Sequence, residues 1–577
     1  MAAAAPHRGT KVELVQRGRC VLGTTDDEGD LSEASLADEA DLAVAFAGRL
    51  DNQDDLLKEL ETGGTPAEEA TPASVLAAMF RRSGDRAAER LRGVFAAAVS
   101  DGERLWVVRD HAGLRSVFYR DDRSGTFVAS EAKQVAAGAG ISREPDEDVL
   151  AAIFFRDLDD ETPSAVRGVR RLPKATVLLV DGSGSRMRRY WHPERLLESA
   201  EFAFEDIRPR FEALMTQACE RMMRGPDCVS LSGGIDSPAV AAFAAPAHER
   251  LFGGPLDALS AVYPDQPAVD ESELIRLTAD RYGMPLHTYE RHARPTAGLR
   301  RWVDLLDGPV PQILVSDAEE HYTHAARLGL TNTLTGEIAE YLFDLRGPLV
   351  PYLLRRGRVA PAVAHLRDQR REHGVGPGPI ARQVFAAAGP RWIVRPVLRR
   401  RARRPGVNTP PWIDVERATR AAVRNVVATW ERWPHLQLGG FVGPGLTMEA
   451  DEIVQAVCGT RARRPFADVD LWEFFLSMPA EVKFPDTHGK GIMRGLLRGR
   501  VPDQILDRRQ KTVFDDSLRA RIDHEDLGRW LRSGSWRMPG IDYARLLDRV
   551  DRRELQVHEY IRAKDLAAAH AFVQLLS

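Results

Sequence analysis

Residues 228–238 read Cys-Val-Ser-Leu-Ser-Gly-Gly-Ile-Asp-Ser-Pro, a short apolar run, a glycine pair and a proline at the mouth of a second apolar run, Ala239–Ala245. This is the pattern of a strand, a tight turn and a buried helix. Gly233 and Gly234 let the backbone turn sharply and approach an anion with its amides pointing inward. A helix predicted to open at Ser237 adds its positive end, and Pro238 suits a first helical turn. Ser232 and Ser237 supply hydroxyl donors, and Asp236 a hard oxygen ligand of the kind Mg²⁺ takes. No lysine follows the glycines, so the loop is not the G-x-x-x-x-G-K-[ST] phosphate loop.

Outward from this loop, strand and helix alternate. ALSAVY (258–263), LHTY (286–289) and NTLT (332–335) read as strands, with the helices ESELIRLTADRY (271–282) and AEEHYTHAARL (318–328) stopping at Gly283 and Gly329. The alternation predicts a doubly wound parallel sheet, whose ligands bind at the carboxyl ends of the strands. Before about residue 200 the texture is β-rich: LWVVRD, SVFYR, TFVAS and ATVLLV, with turn signals at Asp101-Gly102, Ser124-Gly125 and Asp181-Gly182, and helices at QDDLLKELE and EDVLAAIFF. We expect one domain over 1–195 and a second over 200–577.

The 577 residues are 44% hydrophobic and 28% charged, with a net charge of −4. That is globular composition without the footprint of a nucleic-acid binder. No run nears the ~18 uncharged apolar residues of a membrane span, and MAAAAPHRGT has no signal-peptide pattern. A cytoplasmic protein with neither nucleic-acid nor membrane partner is expected. Cys20, Cys219, Cys228 and Cys458 are widely spaced, which disfavours a disulfide framework or a zinc ribbon. Only eight of the 80 basic residues are lysine, so a lysine's position is informative.

SGGIDS resembles the pyrophosphate loop of ATP-pyrophosphatases, and the chain is similar to the asparagine-synthetase superfamily over residues 91–514. GVFAAAVSDGERLWVVRDHAGLRSVFY and FVASEAK resemble that superfamily's glutaminase-type domain. VDESELIRLTA, LTGEIAEYLF, RRPFADVDLWEFFLSMP and GKGIMRGLLRGRVPDQILDRRQKTVF follow in family order. The resemblance implies an Ntn-type α+β domain, then an ATP-pyrophosphatase α/β domain with a large, mainly helical insertion at 345–445. It implies ATP and Mg²⁺, with a nucleotide set of Leu231, Ser232, Gly233, Gly234, Ile235, Asp236, Ser237, Val262, Gly336 and Lys490. The metal carboxylates would be Asp236 and Glu340, the latter where the family has Asp. Lys490, Lys511 and Glu337 fall on catalytic positions, Lys490 at the phosphates and Lys511 at acyl transfer. The general base stays unassigned, since Arg461 fills a slot where the family often has Glu.

Two departures bear on the nitrogen source. The family's glutaminase needs a cysteine directly after the initiator methionine, and here that residue is Ala2; Ala47 falls where an oxyanion-hole Asn would be. The first domain is therefore expected to lack glutaminase activity. From Glu340 to Pro465 the chain is longer than in asparagine or β-lactam synthetases, and this resembles lasso-peptide macrolactam synthetases. Such an enzyme would adenylate an Asp or Glu side chain of a leaderless precursor peptide and close it onto the peptide's own amine. A leader peptidase and a leader-binding protein would be its partners. The alternatives are another ATP-dependent amide synthetase, small-molecule ring-closing or ammonia-using, and a non-catalytic scaffold. The arginine run 399–404 reads first as a solvated loop, and otherwise as part of a cavity wall.

Overall fold

The computed structural model describes all residues except 27–32, 40, 61–69, 159–160, 200–203, 310–313, 345–348, 407, 432–445, 486–489 and 509–511. The strands Leu42–Leu50 and Gly93–Ser100 pair antiparallel, and Phe46 stacks on Phe95 at 5.4 Å between ring centroids. They lie inside a six-stranded sheet ordered 184–189, 176–181, 105–109, 93–100, 42–50, 34–39. A three-stranded sheet (125–129, 118–122, 170–171) and the hairpin Lys11–Arg17/Cys20–Asp26 complete the β-rich half. The SVFYR strand begins two residues later than expected, at Phe118, because Ser116 instead binds Glu452 and the Ser130 carbonyl.

The second half holds a five-stranded sheet, parallel throughout, ordered Leu286–Glu290, Asp257–Val262, Asp227–Ser230, Asn332–Leu334, Arg461–Arg463. The first strand in sequence, Asp227–Ser230, is central. Strands two and three build to one side and strands four and five to the other. The chain therefore changes winding direction beside Asp227–Ser230, and a crevice opens there between the loops after that strand and after Asn332–Leu334. The helix after the glycine loop runs Asp236–Phe252, one residue earlier than expected, and its alanine-rich length is buried against Phe204–Met222, with Phe211 and Phe243 edge to face at 5.7 Å.

The halves share their interior. One continuous core runs from Phe46 and Phe95 through Tyr190 and Trp191 to Phe211, Trp472 and Phe475, so the sequence break after Trp191 does not separate the cores. The helix Val557–Leu576 packs Ala568, Ala571 and Phe572 against Phe118, Val135 and Ile153 of the β-rich half. Buried ion pairs cross the same boundary: Glu449 accepts from Arg109 at 2.9 Å and from Arg171 at 2.7 Å.

The described part of the insertion is helical: Leu349–Arg355, Val359–His373, Pro377–Ala388, Arg391–Ala402 and Val415–Glu431. It is rooted at two places. Leu349, Val350 and Leu353 pack on Ala480 and Phe484, while Glu198 accepts from Tyr352, from Arg358 at 2.9 Å and from the Ala480 amide at 2.8 Å. Trp412 and Ile413 enter a separate core with Phe154, Phe155 and the C-terminal helices. Among the described residues no helix is long and apolar enough to cross a membrane. The four cysteines are free thiols, and burial pushes the Cys228 thiol up to about 12.

Candidate active site

The glycine loop occupies the crevice. Leu231 and Ile235 are buried and fix its two ends, and the Leu231 amide donates to the Leu259 carbonyl at 3.0 Å. Ser232 and Ser237 close the loop on itself: their hydroxyls lie 2.9 Å apart, and the Ser232 amide donates to Ser237 Oγ at 2.8 Å. The Asp236 carboxylate accepts from Lys490 Nζ, which brings Lys490 to the loop. Lys490 sits in left-handed backbone (φ +64°) at the start of the helix Gly491–Leu496.

Gly336 is forced by contact. A Cβ there would meet Ser237 N at 2.6 Å, Asp236 C at 2.7 Å and Asp236 Cβ at 2.8 Å, so the loop after Asn332–Leu334 lies directly on the mouth of the Asp236 helix. Ile338, a buried β-branched residue, is held at φ +76°, strain costing of order 1–3 kcal/mol. Between them Glu337, about half exposed, accepts from Arg464 Nε at 2.7 Å and from Thr335 Oγ1 at 3.3 Å. Arg464 also holds Asp451, a buried carboxylate that accepts from Tyr322 at 3.0 Å and Gln455 at 2.5 Å. Burial pushes the Asp451 carboxyl above its usual range, against the pull of Arg464.

Glu340 is half-buried in the first turn of the helix Ala339–Phe343, three residues beyond Glu337. Val262 ends the neighbouring strand, and the following Tyr263 faces Phe514 at 5.6 Å between ring centroids. Lys511 lies outside the described residues.

Three residues of the site had no assigned role in the sequence. Glu271 accepts from the Gly233 amide at 2.9 Å and from Arg508 at 2.7 Å, and Thr512 donates to it at 2.5 Å. Arg508 also reaches the Gly233 carbonyl at 3.4 Å. They tie the C-terminal segment to the glycine loop. The only signal was that VDESEL and RRQKTVF belong to blocks resembling the family, without a contact to join them.

Two hydroxyls, an ammonium and the opening of a seventeen-residue helix form a donor set suited to a polyphosphate. Gly336 itself adds no side chain where its loop crosses the start of the Asp236 helix. Asp236 and Glu340 are carboxylates of the kind Mg²⁺ takes, so the residues fit an ATP–Mg²⁺ site. No cluster of three or more His, Cys, Asp or Glu able to hold a metal occurs among the described residues, so phosphate and water oxygens would supply the remaining ligands.

In the β-rich half, a cavity of about 510 Å³ is lined by both Ala2 and Ala47, with Phe46, Ala96, Leu105 and Val107 among its mainly apolar walls.

Residues 11–191 match the glutamine amidotransferase domain family, and residues 210–561 match asparagine synthase. Asparagine synthetase [glutamine-hydrolyzing] 3 of Bacillus subtilis is 25% identical over 518 residues, covering 85% of this chain and 78% of that protein. The putative glutamine-hydrolyzing asparagine synthetase of Mycobacterium tuberculosis is 26% identical over 539 residues, covering 85% and 76%. Carboxyethyl-arginine beta-lactam-synthase of Streptomyces clavuligerus is 31% identical over 227 residues, covering 38% and 40%. With the matched family spanning the parallel sheet, the glycine loop and Lys490, this chain belongs to the asparagine synthase family.

Proposed function

We propose that this protein is an ATP-dependent amide synthetase that draws its amine from its own substrate rather than from glutamine. The observation that carries this reading is a contrast within one chain. The anion cradle of Ser232, Ser237 and Lys490 is assembled, whereas the amidotransferase cavity presents alanine at both positions, 2 and 47, where nucleophile and oxyanion donor would be needed. Cys20, the remaining cysteine of that half, sits at a hairpin position opposite Arg17.

The cradle binds the triphosphate and holds its charge as a substrate carboxylate oxygen attacks the α-phosphorus. The bond to pyrophosphate breaks, giving an acyl-adenylate. Asp236 and Glu340 would hold a Mg²⁺ ion, which would supply further positive charge at the phosphates. An amine nitrogen then attacks the acyl carbon, loses a proton, and AMP departs. Lys490 serves the phosphates and Lys511 the acyl-transfer oxyanion. Glu337, fixed by Arg464, orients the amine. Holding the amine at near-attack distance replaces the reactivity of free ammonia.

The substrate proposed is a leaderless lasso precursor peptide, closed through an Asp or Glu side chain onto its N-terminal amine. The insertion supports a peptide-sized substrate, since its base is rooted between the segments carrying Glu340 and Lys490. A leader peptidase and a leader-binding protein would supply that substrate. The likeness to a beta-lactam-synthase favours small-molecule ring closure as the second reading. The test is mass spectrometry after incubation with ATP, Mg²⁺ and leaderless peptide. Loss of one water in step with AMP formation supports macrolactam closure. A peptide carboxamide formed only with added ammonia, or glutamate released from glutamine, refutes it.

A further inference from the structure

The insertion carries a charge asymmetry that the synthetase reading does not use. Residues 349–404 contain fourteen arginines against two acids, Asp368 and Glu372, and no lysine. That is a net +12 in a chain of net −4, leaving the other residues at −16. Internal pairing takes up part of this excess and leaves one cluster. Arg356 and Arg358 are spent on Glu198 and Glu481, but Arg399, Arg400, Arg401, Arg403 and Arg404 make no ion pair among the described residues and are exposed. Arginine itself carries no message here, because the whole chain prefers it to lysine; the clustering does.

Apolar side chains stand among these charges. In the helix Arg391–Ala402 the inner face buries Val394 and half-buries Leu398 and Ala402. At 100° per residue, Arg399 and Arg403 lie within about 20° of Trp392 on the outer face, while Val397 stands about 140° away on the flank. Trp392 is 77% exposed and Val397 is 51% exposed. The preceding helix, Pro377–Ala388, exposes Val384 and Phe385, and the two helices meet closely at Gly389, where a Cβ would strike Val394 and the Phe385 carbonyl. Trp392 thus stands exposed beside Arg399 and Arg403, which make no ion pair among the described residues.

From this face we propose that the insertion docks the protein peripherally on an anionic lipid surface, Trp392 entering the headgroup–acyl boundary while the Arg399–Arg404 cluster pairs with lipid phosphates. A polyanion such as an acidic peptide would neutralise the arginines, but it would leave the indole of Trp392 in water. An anionic bilayer takes both, and tryptophan is the side chain most at home at that depth. The absence of a long apolar run in the sequence tests only for a segment that spans, and is blind to a helix that lies on the surface. The expectation of no membrane partner is therefore replaced for this one face.

The experiment is co-sedimentation of the full chain with vesicles of phosphatidylcholine alone, or with one third phosphatidylglycerol. Binding is expected to the mixed vesicles only, and to fall as salt rises. Replacing Arg399, Arg400, Arg401, Arg403 and Arg404 by Gln should weaken partitioning by about a hundredfold or more, each arginine near such a surface counting for roughly fivefold. Trp392→Ser should weaken it by about tenfold. An unchanged thermal melt certifies that each variant is folded. Failure of the wild type to sediment with the mixed vesicles overturns the proposal. So does binding to polyglutamate as strong as to the vesicles and indifferent to Trp392→Ser, which marks the face as a docking site for an acidic protein.

Discussion

Gly336→Ala is the smallest change that should silence the nucleotide site while leaving the fold intact. The added methyl would sit 2.6–2.8 Å from Ser237 N and from Asp236 C and Cβ, where ordinary contact begins at 3.4 Å. The obstacle is mainly backbone at the start of a buried helix, so it cannot be relieved by a rotamer change. One of the two loops must withdraw by about 0.6–0.8 Å. A strain of this kind costs roughly 1–3 kcal/mol of stability, a tolerable loss for a core of this size. A misplacement near 1 Å in a phosphate site costs catalysis about a hundredfold. The expected outcome is a melting temperature lowered by a few degrees, with ATP-dependent pyrophosphate release down by about two orders of magnitude. Gly254→Ala, with nothing within 4 Å of its Cβ, is the matched control and should change neither. A Gly336→Ala enzyme that releases pyrophosphate at the wild-type rate would refute the argument that the loop after Asn332–Leu334 builds the cradle.

Asp236→Asn, which removes the charge that Lys490 meets, should lower pyrophosphate release by roughly a hundredfold, read with the same coupled assay. Lys490→Ala should abolish both pyrophosphate release and amide product, whereas Lys511→Ala should lose product while pyrophosphate release persists; equal loss of both in the Lys511 variant would count against its acyl-transfer role. Stability should fall on mild acidification. Burial holds His111 and His321 down to about 3, so the unfolded chain binds their protons first, and stability present above pH 6.5 is lost progressively below it. Each histidine contributes about 2 kcal/mol of that loss by pH 5. His111→Phe, which keeps a ring against Tyr190 and Trp191, should flatten urea unfolding midpoints between pH 7 and pH 5 by one histidine's share.

Four strands of the parallel sheet are legible because each is a short apolar run bounded by turn residues. The fifth, Arg461–Arg463, is not, since Arg-Ala-Arg looks like a solvated basic run. It becomes a strand because Arg463 can be buried on Asn332 at 3.0 Å and on Glu33 at 2.5 Å, partners from distant parts of the chain. The strands Leu42–Leu50 and Gly93–Ser100 hide for a different reason. Their alanines carry little strand propensity, and they become core through Val44, Phe46, Phe95 and Val99, which are buried together, Phe46 stacked on Phe95. In the site, Ser232, Asp236 and Ser237 could be read from local chemistry, and Lys490 from the family resemblance together with the rarity of lysine. Glu271, Arg508 and the Asp451–Arg464 pair could not, because their meaning lies in contacts between segments that no local pattern joins.

The C-terminal helix Val557–Leu576, seated among Phe118, Val135 and Ile153, has a consequence for how such a chain can change over generations. A ribosome delivers the β-rich half first, yet part of that half stays uncovered until residues 557–576 emerge. A gene that lost the first half would leave Phe572 and its neighbours stranded in water, and one that lost the last helix would do the same to Ile153. Positions 2 and 47 line a cavity and can change without uncovering that seam. Phe118, Val135 and Ile153 cannot, and so the two halves are bound to be inherited together.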